Sequence, residues 1–89
     1  DWREIKAEGE EIEQRFAELL RQGCRPDAPE ARAAAERHRI HIERWFYPCS
    51  LVMHRGLAEL YVTDRRFAAH YDGREPGLAE FVSRAITAA

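Results

Sequence analysis

The sequence predicts an all-α domain, an irregular globin-like bundle of about five helices, and three observations carry that expectation. Apolar residues recur at three- and four-residue spacing in each long segment, and no segment sustains two-residue alternation. Proline, glycine or a capping side chain punctuates the chain wherever one helical pattern yields to the next. The connections are unequal in length, one of them a very short corner at Pro48, which argues against a regular up-and-down bundle. At 89 residues the chain forms a single domain, 1–89, near the size at which core burial only just exceeds the cost of chain entropy.

The first helix is marked by Trp2, Ile5, Ile12, Phe16, Leu19 and Leu20, separated by Arg, Glu and Gln. Gly9 interrupts it at a modest propensity cost, and Gly23 stands where a left-handed residue would stop it. Cys24 to Glu30, with Pro26 and Pro29, reads as a loop. A second pattern begins near Pro29, a first-turn proline capped by Asp27 or Ala28, and runs to Trp45. Its stripe of Ala31, Ala34, Ala35, His38, Ile42 and Trp45 is small at the start, where another helix can approach closely, and bulky at the end.

Pro48 breaks that helix and Ser50 caps the third, Ser50 to Thr63. Leu51, His54, Leu57, Ala58, Tyr61 and Val62 are its inward candidates. Val52, Met53 and Leu60 widen the apolar face so far that a central, doubly covered helix is expected. Asp64 caps a short fourth helix from Arg65 to Tyr71, which Asp72-Gly73 closes as a turn. The last helix starts at Pro76-Gly77 and repeats Leu78, Phe81, Val82, Ala85 and Ile86 at helical intervals.

Composition excludes several classes. A net charge of −2 and a pI near 6.1 leave no basic surplus for neutralising phosphates, so direct DNA binding by these residues is not expected. No apolar run approaches the roughly 20 residues of a membrane span, and no signal-peptide pattern is visible. Cys24 and Cys49 are expected to be free thiols in a reducing cytoplasm. The start at Asp1, already within helical periodicity, points to an excerpt from a longer polypeptide. No nucleophile, base and orienting acid stand together at interpretable spacing, so an enzyme is not expected.

The segment from Trp45 to Val62 concentrates aromatic, sulfur and imidazole groups at one helix junction and reads as the wall of a small-molecule pocket. Two readings of Cys49 stand side by side: a thiol activated by the start of the following helix, or a buried residue packing as a small hydrophobe. His38, His41 and His54 could converge as metal ligands, yet no acid partner stands at diagnostic spacing, and neither a metal nor a cofactor is expected. Trp45 fits the core, whereas Phe46 and Tyr47, at the broken end, suit a cleft as well as a core. The strings Arg3-Glu4, Glu8-Glu10-Glu11, Arg37-Arg39 and Arg65-Arg66 read as solvated faces.

Four segments carry a family likeness: Glu36-Arg37-His38-Arg39, Tyr47-x-Cys49-x-x-x-Met53-His54, Leu57-x-Glu59-x-Tyr61-Val62-x-Asp64-x-Arg66-Phe67, and Pro76-Gly77-Leu78-Ala79. They resemble the TipAS antibiotic-recognition domain, the effector half of MerR-type bacterial regulators, and the likeness spans essentially the whole chain. The resemblance implies a globin-like helical fold that binds no haem and holds a bulky hydrophobic drug in a cleft, set here between the second, third and last helices. It also implies an upstream winged helix-turn-helix with a dimerising coiled coil, and a segment that folds over the ligand, all preceding Asp1. In the family a cysteine seven residues after the Tyr-x-Cys cysteine attacks the drug, and the matching position is Gly56. Glycine cannot form a thioether, so the resemblance supports non-covalent binding and leaves the covalent step without its nucleophile.

The expected function is therefore ligand sensing in a MerR-type transcriptional activator, with Phe46, Tyr47, Cys49, Met53, His54, Gly56 and Tyr61 as ligand-binding candidates. The expected partners are a thiopeptide-like or other bulky antibiotic, DNA only through the upstream domain, and a second copy in the full-length homodimer. A stand-alone drug-sequestering protein and a ligand-free helical interaction module are the alternatives.

Overall fold

The computed structural model describes residues 1–88 and contains five helices. Helix α1 (Trp2–Arg21) begins where the Asp1 carboxylate accepts from the Arg3 N–H at 3.0 Å. It ends where Gly23 takes φ +75° and the amides of Gly23 and Cys24 turn back onto the carbonyls of Leu20 and Leu19. Helix α2 (Pro29–Trp45) starts on Ala28 with proline in its first turn. Asp27 does not cap it, because its carboxylate is held by Arg25 in two bonds of 3.0 Å.

Helix α3 (Leu51–Thr63) is capped by Ser50 Oγ, which accepts from the Met53 N–H at 3.1 Å. Asp64 both ends α3 and caps α4 (Arg65–Arg74), accepting from the Arg66 N–H at 2.8 Å and pairing with its guanidinium at 3.5 Å. Helix α4 continues through Asp72-Gly73 to Arg74 instead of closing there. Gly73 keeps ordinary helical geometry, and Asp72 serves the next element: its carboxylate accepts from the Ala79 N–H at 3.0 Å. Helix α5 (Leu78–Thr87) follows Gly77, at φ +84°, and Asp72 supplies the side-chain cap that Gly77 lacks.

Helix α5 is the centre of the bundle. It packs against each of the other four, and Leu78, Ala79, Phe81, Val82, Ala85 and Ile86 are all buried. Phe16, Ala17 and Leu19 of α1 join it, as do Ala31, Ala34 and Ala35, the small residues that let α2 come close.

The apolar content of α3 had pointed to that helix as the doubly covered one, and the structure corrects this. Only His54, Ala58 and Tyr61 are buried there, while Leu51, Met53, Leu60 and Val62 face out and Val52 is 78% exposed. Helices α4 and α5 cover one side of α3 only, and its link to α2 runs through side chains instead of close backbone packing.

Candidate functional site

Past the alanine stripe, α2 carries large residues with polar tips, and α1 and α4 stand apart. Side chains bridge the gap: Glu13 of α1 takes His70 Nε2 at 2.9 Å and Arg74 Nε at 3.4 Å from α4. Beneath this bridge lies a hollow of about 360 Å³. Trp2, Ile5 and Gly9 form its α1 wall, His38, His41 and Ile42 its α2 wall, and Phe67 and Tyr71 its α4 wall, with Tyr61 of α3 behind them. Phe46 closes the corner, meeting Trp2 edge-on at 6.5 Å and His41 at 5.8 Å between ring centroids. A larger trough of about 680 Å³ on the outer side of α1 is lined mostly by charged and amide side chains and is open to water.

Aromatic packing sets the floor. Tyr61 lies 5.0 Å from Tyr71, 5.5 Å from Phe67 and 5.9 Å from His38, centroid to centroid. Such rings combine apolar area with edge and face complementarity for flat partners. Burial pushes the Tyr61 phenol up to about 12 and the Tyr71 phenol up as well, so both stay neutral donors at physiological pH.

Two histidines on the α2 wall are anchored from behind. His38 Nδ1 lies 2.9 Å from His54 Nε2 on α3, and burial drives both rings down, His38 to about 3 and His54 to about 4. His41 Nδ1 lies 2.6 Å from Glu8 Oε1, and that bond holds the Glu8 carboxyl below its usual range. The Cβ that alanine would add at position 9 comes 3.4 Å from His41 Nε2, so glycine there keeps α1 clear of the imidazole. Trp45 is half-buried; its Nε1 is sealed without a partner in hydrogen-bonding geometry, and Arg44 lies over its ring at 4.6 Å. Among the described residues no group of three or more His, Cys, Asp or Glu converges as metal ligands, and the three histidines are divided between these two pairs.

The corner at Pro48 is clamped by Arg39. Its Nη1 donates to the Cys49 carbonyl at 2.8 Å, while Glu36 and Glu43 flank the guanidinium and pair with it. Cys49 itself is fully buried, and desolvation pushes its thiol up despite the nearby guanidinium. Of the two readings of Cys49, the packed hydrophobe is the one this environment fits.

Of the seven sequence candidates, Phe46 and Tyr61 line the hollow. His54 stands behind His38 and reaches the hollow only through it, and Cys49 is sealed from it. Tyr47, Met53 and Gly56 face solvent, with open space beside the Gly56 Cα. The cleft expected between the second, third and last helices is displaced: the hollow sits among α1, α2 and α4, and α5 contributes nothing to it. Sequence reasoning missed Trp2, Ile5, Phe67 and Tyr71, which meet only because α1 and α4 face one another. The available signal was the ring-bearing residues at both ends of the chain's helical stripes.

Fold and hollow together define an all-helical domain with an aromatic recess, to whose lining Lys6, Glu10, Glu13 and Arg74 add charged side chains. The chain belongs to the TipAS antibiotic-recognition domain family, whose description it matches over residues 1–89. It is 42% identical over 88 residues to the HTH-type transcriptional activator TipA of Streptomyces coelicolor, covering 99% of this chain and 35% of that protein. It is likewise 42% identical over 86 residues to the HTH-type transcriptional activator mta of Bacillus subtilis, covering 97% of this chain and 33% of that one. The chain thus spans about a third of the length of these curated relatives.

Among solved structures, Streptomyces lividans TipAS in complex with nosiheptide superposes with a TM-score of 0.91 at 41% identity, over 98% of this chain and 61% of that one. The antibiotic-binding domain of a TipA-class multidrug resistance transcriptional regulator superposes at 0.85 with 42% identity, over 94% and 89% of the two chains. The globin-like helical fold expected from the sequence is therefore the fold of this family. No described helix is long and apolar enough to cross a membrane.

Proposed function

We propose that this chain is the ligand-sensing domain of a MerR-type transcriptional activator and that it takes a bulky, flat, hydrophobic antibiotic into the hollow among α1, α2 and α4. The observation that carries the reading is the hollow itself. It is an aromatic recess in which burial keeps the His38 imidazole and the Tyr61 phenol neutral, within a fold shared with a nosiheptide complex. Phe46, Trp2 and Tyr61 would stack on the ligand, and Met53, Tyr47 and Gly56 would contribute only to a ligand that extends beyond the hollow across the outer side of α3. Cys49 supports the corner from within, and His54 acts through His38. Binding is non-covalent, since Gly56 offers no thiol.

In the full-length protein, DNA contact belongs to an upstream domain, the active form is a homodimer, and the site of action is the cytoplasm. The ligand switches the protein by favouring one arrangement of the domain and its flanking segments over the other. The chain works by binding and not by catalysis.

Titration of tryptophan fluorescence with nosiheptide tests this. Trp2 lines the hollow and is the reporter, whereas Trp45 stands outside it, next to the Glu8 that holds His41. Saturable quenching that is lost in Phe46→Ala is the expected result. A flat titration would favour a protein-interaction module instead, a reading for which the solvent-facing Leu51, Val52 and Met53 of α3 speak.

A further inference from the structure

His38 is nine-tenths buried in the α2 wall, and its Nδ1 is engaged by His54. Among the described residues no protein atom hydrogen-bonds its other ring nitrogen, Nε2. The one sealed, unpartnered side-chain nitrogen or oxygen among the described residues is Trp45 Nε1, so His38 Nε2 is not sealed, and His38 is one of the residues that line the hollow.

Both imidazoles are neutral, so a single N–H lies between them and the bond has two forms. When His54 Nε2–H donates, His38 accepts at Nδ1 and carries its own proton at Nε2, presenting a donor to the hollow. When His38 Nδ1–H donates, Nε2 is a bare acceptor. The first form places both rings in the Nε2–H tautomer that neutral imidazole intrinsically favours, whereas the second places both in the less favoured one.

We propose that His54, without lining the hollow, fixes His38 as a hydrogen-bond donor in its α2 wall, so that the hollow selects flat, neutral ligands presenting an acceptor atom there, such as an azole nitrogen or an amide carbonyl. His38 is the specificity-determining residue and His54 its positioning residue. The inference rests on the hollow being the ligand site, and it adds what the aromatic walls cannot supply. Rings of suitable size all stack, whereas a fixed donor discriminates between ligands of equal shape.

Two measurements on the 89-residue chain decide it. Long-range proton–nitrogen correlation spectra of the ¹⁵N-labelled protein at neutral pH should show His38 and His54 each protonated at Nε2; a proton on His38 Nδ1 overturns the proposal without any variant. Amide-shift titrations with 4-phenylthiazole and 3-phenylthiophene, which differ in one ring nitrogen, should then show the thiazole binding about fivefold tighter. That preference should vanish or reverse in His54→Met, with the fold checked by the same spectra. Equal affinities in the unmodified chain would overturn the donor role and leave the hollow a binding site. An absence of shifts at Phe46, Tyr61 and Phe67 with either probe would overturn both this inference and the reading on which it rests.

Discussion

Helices α1 and α2 run through two regions of opposite character. Where Phe16, Ala17 and Leu19 of α1 face Ala31, Ala34 and Ala35 of α2, helix α5 fills the space and every one of these side chains is buried. At the other end, Trp2, Ile5 and Gly9 face His38, His41 and Phe46, and a recess remains although the residues are larger. Side-chain size alone would suggest the reverse. Small residues let a third helix enter and complete the packing; large, polar-tipped residues hold the helices apart and leave space between them. The closest packing is therefore at the alanine end, and the recess proposed for the ligand is at the imidazole end of the same two helices.

The sharpest test of that division pairs two phenylalanines. Phe16, fully buried and edge-on to Phe81 at 6.4 Å, should cost about 3–5 kcal/mol when replaced by alanine, read from urea unfolding. Phe46 is 54% exposed, so Phe46→Ala should cost less than about 1 kcal/mol while abolishing nosiheptide quenching. Comparable losses of stability would erase the distinction between the regions.

Acid should weaken the boundary between them. His38 and His54 titrate near 3 and 4 in the folded chain, below the ordinary 6.5, so between those limits the unfolded chain binds more protons and stability rises with pH. The contribution is whole above pH 6.5 and is lost as pH falls towards 3. At about 1.4 kcal/mol per unit, discounted for solvent and for coupling of the pair, it amounts to roughly 2–4 kcal/mol. Glu8 and Glu36, both held below their usual range, add their losses only at more acid pH. Thermal unfolding between pH 7 and 4.5 should show the slope, and His54→Leu should flatten it.

Arg39→Ala should act locally. Releasing the Cys49 carbonyl and the two flanking glutamates should speed hydrogen exchange at the start of α3 and leave the amides of α5 protected. Equal acceleration in both would mean that the corner and the core unfold as one unit.

The smallest effects separate two helical glycines. Gly73→Ala has open space for its Cβ and should stabilise by about 0.5–1 kcal/mol in thermal unfolding. Gly9→Ala gains the same propensity, but its Cβ meets His41 Nε2 at 3.4 Å, so it should gain less stability and weaken nosiheptide binding.

Much of the local structure was legible because its causes are local. Ser50, Asp64, Pro29 and Gly23 act on the three or four residues beside them, and their roles as cap, first-turn residue and stop follow from backbone chemistry. Where a cap crosses the bundle the reading failed: Asp72 looked like a turn residue because its partner, Ala79, lies in the next helix. The family likeness rested on residues such as His38, Tyr61 and Phe67, which do reach the hollow, and on Tyr47 and Met53, which do not line it; Gly56, where the chain departs from the family, does not line it either.

The sequence by itself determined the five helices, their order, the caps at Ser50 and Asp64 and the contrast between a small and a bulky end of α2, because each depends on side-chain size and on spacing within one segment. Only the tertiary structure decided which helix is central, and it chose α5 over the more apolar α3. It also decided that the recess opens among α1, α2 and α4, and that His54 meets His38. Those outcomes depend on which faces of distant segments are brought together, and a hydrophobic period gives the direction of a face without naming what will cover it.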